Sequence, residues 1–383
     1  MSIKIQSKLP KVGTTIFTVM SQMAMEHNAI NLSQGFPDFP VSEKLIDLVY
    51  QNMQIGHNQY APMPGLPQLR EAIAHKIRHT GGIKVNIDAE ITVTAGATEA
   101  IFSSVLATVQ QGEEVIVLEP AYDCYIPAIE MAGGKAIPIG LNLPDFSPDW
   151  QKVKAHITDK TRMIMINYPH NPSGAILTEN DIKELKEILE ENPQIIILSD
   201  EVYEHIIFDG KTHLSVLKDE FLASRSIAVS SFGKTFHATG WKIGYVVAPE
   251  GIMKEIRKVH QYNCFSVHTP SQYAMAEYLQ DEQNYLGVSA MYESKRSFFQ
   301  NAFKDSKFKV IPSYGTYFQV LDYSEVSDMG DMEFAQYLIK EKGVASIPVS
   351  AFYSNKEDHK LLRFCFAKGE ETLQKASEIL CKI

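Results

Sequence analysis

Between residues 91 and 248 the chain repeats one pattern: a short, nearly continuous apolar run that breaks at once into Gly, Asn, Asp, Ser or Tyr. The runs are ITVT (91–94), VIVL (115–118), MIMIN (163–167), IIIL (195–198), IAVS (227–230) and YVVA (245–248). A strand with one wet face alternates apolar and polar residues, so runs this uniform predict strands covered on both faces. Helix-spaced segments such as GATEAIFSSVLATV lie between them. The expected architecture is therefore α/β, a mostly parallel sheet between layers of helices. In such sheets ligands bind beyond the carboxyl ends of the strands. That edge is expected to gather Gly96, Ala97, Thr98, Tyr122, Asn171, Asp200, Tyr203 and Lys234, which are far apart in the chain.

The stretch from residue 284 onward reads differently. TYFQVLDY, VASIPVS and KLLRFCFAK suggest strands, and EFAQYLIKEKG and ETLQKASEILCKI suggest helices. This predicts a smaller α/β domain, with the turn-rich LSQGFPDFP (32–40) joining an N-terminal segment of it to the larger domain. The expected organisation is an N-terminal segment with part of the small domain over 1–44, a large domain over 45–283 and the small domain over 284–383.

A length of 383 residues with 45% apolar content supports two cores large enough to shelter reactive groups. The net charge of -10, without a Lys/Arg stripe, argues against nucleic acid as a partner. Cys124, Cys264, Cys365 and Cys381 are scattered, with no CxxC, and the histidines show no HExxH, so neither a disulfide framework nor a metal site is expected. MSIKIQSKLPKVG lacks the apolar core of a signal peptide, and no run of about 18 apolar residues exists. A cytoplasmic, membrane-free protein is the expectation.

The segment SSFGKTFHATGWKIGY (230–245) puts one lysine, Lys234, just past a buried strand. An ammonium at that depth is costly unless paired, neutralised or used covalently. By itself Lys234 reads as an ordinary surface lysine, but its neighbours argue for a Schiff base with a carbonyl cofactor. Asp200 ends the IIIL segment, where a carboxylate can pair with a cationic ring nitrogen such as that of pyridoxal phosphate (PLP). Asn171 and Tyr203 can donate hydrogen bonds to the ring's phenolate oxygen. Ser231, Lys242 and the free amides of a helix starting near Ala97 and Thr98 suit a phosphate.

NYPHNPSG, SDEVYEH and SSFGKTFHATGWKIGY, with TAGATEAIF, LEPAYDCY, LSQGFPDFP, NQYAPMPGLPQLR and LLRFCFAK in order, resemble the signature segments of class I/II PLP-dependent aminotransferases of the aspartate-aminotransferase fold. The resemblance spans nearly the whole chain and is strongest to the bacterial methionine and kynurenine aminotransferase branch. It implies the PLP-dependent transferase fold (fold type I), PLP as cofactor, and transfer of an amino group from an L-amino acid to a 2-oxo acid. It makes Lys234 the PLP-binding lysine and proton shuttle, Asp200 the pyridinium partner, and Asn171 and Tyr203 the phenolate contacts. Ser231, Lys242, Ala97 and Thr98 would hold the phosphate. Tyr122 would stack on the ring, with Tyr125 in AYDCY as the competing candidate. Tyr60 would reach the phosphate of a partner subunit, which implies a homodimer. Arg363 and Gly35 would bind the substrate α-carboxylate. Lys242 departs from the arginine of many relatives and keeps the charge without the planar fork.

The loop HQYNCFSVHTP carries no second arginine for a side-chain carboxylate. Phe17, Tyr317 and Phe265 are expected near the substrate side chain, which favours apolar, sulfur-containing or aromatic donors, methionine first. A kynurenine- or glutamine-type aminotransferase and a cysteine-conjugate β-lyase remain the alternatives on the same motifs.

Overall fold

The computed structural model describes residues 3–383; Met1 and Ser2, with which the expected N-terminal segment begins, lie outside the described residues. Seven strands form the main sheet, in the spatial order Ile91–Thr94, Gly244–Val247, Ser226–Ser231, Ile196–Asp200, Thr161–Asn167, Glu114–Glu119 and Lys135–Gly140. All neighbours are parallel except Gly244–Val247, which is antiparallel to both strands beside it. The six apolar runs are all strands of this sheet.

Period-two geometry explains why the runs are apolar throughout. Ile116, Leu118, Ile164, Ile166 and Ile197 enter one buried cluster, while Val115, Val117, Met163, Met165 and Leu198 enter another on the opposite face. The seventh strand, Lys135–Gly140, was not anticipated. It is an edge strand that is mostly exposed or half-buried, with Lys135 and Pro138 in it, so it lacks the apolar signature.

A second sheet of four strands has the order Ile347–Pro348, Leu361–Cys365, Phe318–Asp322 and Lys309–Val310, and is antiparallel throughout. Its core includes Phe299, Phe318, Leu321, Phe334, Leu362, Phe364 and Leu373. Near the start of the chain, Ile30–Asn31 pairs in parallel with Val344–Ala345, so the N-terminal segment docks on C-terminal residues. VASIPVS divides into two very short strands and a 3-10 turn rather than one strand. Among the described residues no helix is long and apolar enough to cross a membrane.

Candidate active site

The strand register puts chemistry at one edge of the main sheet. Asn167 pairs with Asp200, and Ser231 and Thr94 each pair with Gly244. These positions are the carboxyl ends of four parallel strands and the start of the antiparallel one. A cavity of about 300 Å³ opens there, bordered by Asp200, Lys234, Asn171, Tyr203 and Tyr122. Arg363, Gly35 and Phe17 close it from the side of the second sheet and the N-terminal segment.

Lys234 stands in the single helical turn Phe232–Thr235 that follows its strand. Its Nζ donates to the Tyr317 hydroxyl at 3.0 Å and to the Gly35 carbonyl at 3.2 Å. Burial is the main cause that brings its pKa down to about 8, and the nearby Arg363 and Lys242 add to it. A lysine in this state supplies a neutral amine far more readily than a solvated one.

Asp200 is buried, and burial raises its pKa to about 6 against the opposing pull of the Tyr125 hydroxyl and the Val202 amide. Tyr125 donates to Oδ2 at 2.6 Å. A carboxylate held this dry is suited to meet a cation from the cavity side. Of the two candidate tyrosines, Tyr122 lines the cavity and Tyr125 lies beneath, edge to face with it at 5.9 Å.

Arg363 is 1% exposed, although it sits in the alternating strand Leu361–Cys365. Leu362 and Phe364 take the core face and Arg363 the cavity face. Its Nη1 donates to Asn171 Oδ1 and its Nη2 to the Ser33 carbonyl, each at 2.8 Å. Nε has no protein partner among the described residues. The guanidinium lies 3.9 Å from the Phe318 ring centroid, and the Phe17 and Phe352 rings are close by. A planar cation fixed in this way presents a directed donor set to a carboxylate.

The remaining corner suits an anion. Helix Gly96–Thr108 starts behind Ala95, which gives no side-chain cap, so the first amides, including those of Ala97 and Thr98, point their donors outward. Ser231 occupies an N-cap position yet makes no cap bond. Lys242 has left-handed backbone geometry, and its Nζ would lie 3.3 Å from a Cβ at position 96, where Gly96 itself has φ +78°. A phosphorylated ring with a cationic nitrogen and a carbonyl carbon fits these groups: amides, hydroxyl and ammonium at one end, Asp200 at the other, and Lys234 between.

One expectation is corrected. Tyr317 does not border the cavity: it is fully buried, and its hydroxyl donates to the Gly35 carbonyl at 2.6 Å while accepting from Lys234. Burying a tyrosine requires a partner for its O–H, and the Gly35 carbonyl is that partner. Tyr60, expected at the phosphate of a partner subunit, and Phe265, in the loop expected to reach over from the partner, pack edge to face at 5.3 Å and are exposed. Asn167, Gln34, Thr239 and Phe318 border the cavity without having been singled out. Asn167 braces the site, donating to the Asp200 carbonyl and accepting from the Asn171 amide. Its place at the end of MIMIN was the available signal.

The chain belongs to the class I and II aminotransferase family, whose profile matches residues 27–380. It is 49% identical over 376 residues to the methionine aminotransferase of Escherichia coli K12, covering 98% of this chain and 97% of that one. A solved structure described as YbdL from Escherichia coli, with a methionine aminotransferase function, superposes with a TM-score of 0.97 over the whole of both chains at 48% identity. The kynurenine–oxoglutarate transaminase of Dictyostelium discoideum is 34% identical, covering 97% of this chain and 94% of that one. The chain is thus an aminotransferase with the aspartate aminotransferase-like fold, as its motifs implied.

Proposed function

We propose that this aminotransferase uses PLP to take the amino group from an apolar, sulfur-containing or aromatic L-amino acid, methionine foremost, and pass it to a 2-oxo acid. The observation that carries the reading is the meeting of Lys234, Asp200 and Arg363 around one cavity. The similarity to methionine aminotransferase supports the choice of donor. PLP, when bound, supplies a carbonyl for the amine and a ring that accepts the electron pair left at Cα.

The chain's own residues do the rest. Arg363 binds the α-carboxylate with the help of Gly35, and this orients the Cα–H bond. Lys234 Nζ would take the proton from the substrate Cα and hold it for return during the same turnover. Asp200 keeps the ring nitrogen protonated. Asn171 and Tyr203 bond the phenolate oxygen, Tyr122 covers the ring, and Ala97, Thr98, Ser231 and Lys242 hold the phosphate. Phe17, Ile101, Ile243 and Phe318 give the cavity an apolar lining suited to a thioether. Tyr60 and Tyr262, both strongly exposed near Phe265, are assigned to a homodimer interface where Tyr60 serves the partner's phosphate. The location assigned is the cytoplasm.

The test is the visible spectrum of the PLP-loaded protein before and after L-methionine, with no 2-oxo acid present. Loss of the long-wavelength band with gain of a pyridoxamine spectrum is expected. A spectrum unchanged by methionine but altered by aspartate overturns the choice of donor.

A further inference from the structure

His75 and His79 lie one turn apart on helix Pro67–His79, so both side chains share one face. Both direct Nε2 at Glu282, a residue 207 positions from His75 in the chain. His75 Nε2 is 3.1 Å from Oε1 and His79 Nε2 is 3.0 Å from Oε2. The two imidazoles are near parallel, 18° between planes and 6.1 Å between centroids. Each carboxylate oxygen thus serves a different ring, and neither ring has another hydrogen-bond or ion-pair partner among the described residues.

We propose that His75, His79 and Glu282 form a surface site for a divalent transition-metal ion, with Zn²⁺ as the best match. The three ligand atoms already lie within 4.8 Å of one another. A tetrahedral Zn²⁺ with bonds of about 2.0–2.2 Å draws such atoms slightly closer, and side chains this exposed can do so by rotation alone. Two nitrogens and one carboxylate oxygen favour Zn²⁺, Cu²⁺ or Ni²⁺ over Mg²⁺ or Ca²⁺, which require more oxygen ligands. Water takes the fourth position. Metal binding through Nε2 requires each imidazole neutral with its proton on Nδ1. Glu71, one turn before His75, and Asp281, next to Glu282, add negative charge nearby. HKIRH lacks the HExxH pattern, and its third ligand comes from elsewhere in the chain, so no local motif announces the site.

None of the three residues borders the cavity that holds Lys234, so the site is independent of the reaction. Its effect is to clip the end of helix Pro67–His79 to the segment after helix Thr269–Tyr278. The experiment is isothermal titration of the PLP-loaded protein with ZnSO₄ in a non-chelating buffer. One saturable site per chain is expected, weakened about tenfold or more by His75→Ala or His79→Ala. Both histidines are exposed, and circular dichroism verifies that the variants fold. A second convergent group, Glu99, His260 and Cys264, is tested by Cys264→Ser, which is expected to leave the affinity unchanged. Absence of saturable binding, binding that survives both histidine substitutions, or binding lost in Cys264→Ser overturns the proposal.

Discussion

The Tyr125 hydroxyl donates to Asp200 Oδ2 across 2.6 Å, from a side chain that is itself 2% exposed. This bond stabilises the ionised carboxylate where burial favours the neutral acid and lifts its pKa to about 6. A hydrogen bond to a charged group is worth about 1.5–3 kcal/mol. Tyr125→Phe is therefore expected to slow the methionine half-reaction by about 10- to 100-fold. Its acid limb should move to higher pH, because Asp200 then needs a higher pH to ionise. Stopped-flow half-reaction rates across pH check this; an unshifted limb at the parental rate refutes it.

Lys234→Ala should abolish measurable transamination and leave the fold in place. Proton transfer by a positioned amine accounts for about 10²–10⁴-fold by itself, and the covalent attachment is lost as well. The fold survives because the Tyr317 hydroxyl retains its bond to the Gly35 carbonyl. Matching far-ultraviolet circular dichroism with background turnover is the expected pair of results. Turnover within tenfold of the parent removes Lys234 from its assigned role.

Arg363→Lys keeps a cation but loses the fork that donates both to Asn171 and to the Ser33 carbonyl. If the α-carboxylate binds here, the loss falls on substrate binding. KM for methionine should rise about 10- to 100-fold, equivalent to about 1.5–3 kcal/mol, with a smaller change in kcat. Steady-state kinetics separate the two. An unchanged KM sinks the assignment.

These predictions rest on residues of unequal legibility in the sequence. Asp200, Lys234 and Asn171 were legible because strand ends in a parallel sheet converge whatever the details of packing. Arg363 was legible through its motif and its alternation with Leu362 and Phe364. Tyr125 was not, because only the phase of the short helix Tyr125–Met131 decides which tyrosine of AYDCY faces the cavity. Tyr317 was misplaced because an aromatic near a site can wall it or brace it from behind, and the choice turns on one hydroxyl partner. The strand Lys135–Gly140 escaped because an edge strand needs no apolar run.

Lys76 Nζ donates to Glu204 Oε1 at 2.6 Å, and the lysine side chain is 3% exposed. Burial tends to raise the Glu204 pKa, but the charge of Lys76, with His205 beside it, brings it down to about 2. Tyr245 also donates to the same oxygen. Lys76→Met strands this carboxylate and should destabilise the protein by about 3–5 kcal/mol. Replacing Glu204 with Gln in the same chain should recover much of that loss. Urea-unfolding midpoints of the single and double variants decide it; additive losses contradict the pairing.

Two buried histidines should make the protein acid-sensitive before its carboxylates titrate. His170 is held neutral by burial, with its pKa lowered to about 4; Nε2 donates to the Pro120 carbonyl and Nδ1 accepts from Ser173. His205 is lowered to about 3, first by burial and then by Lys76, whose Nζ donates to its Nε2 at 3.2 Å. Both folded-state values lie below the ordinary histidine value, so the unfolded chain binds more protons between them. The stabilisation is therefore complete above about pH 6.5 and is lost as pH falls from there toward 4 and 3. Each histidine contributes a slope approaching about 1.4 kcal/mol per pH unit within that window. Urea titrations between pH 7.5 and about pH 5 should show stability falling with acid, with a shallower slope in His170→Asn. A pH-independent midpoint across that range would mean that these histidines take up no fewer protons folded than unfolded.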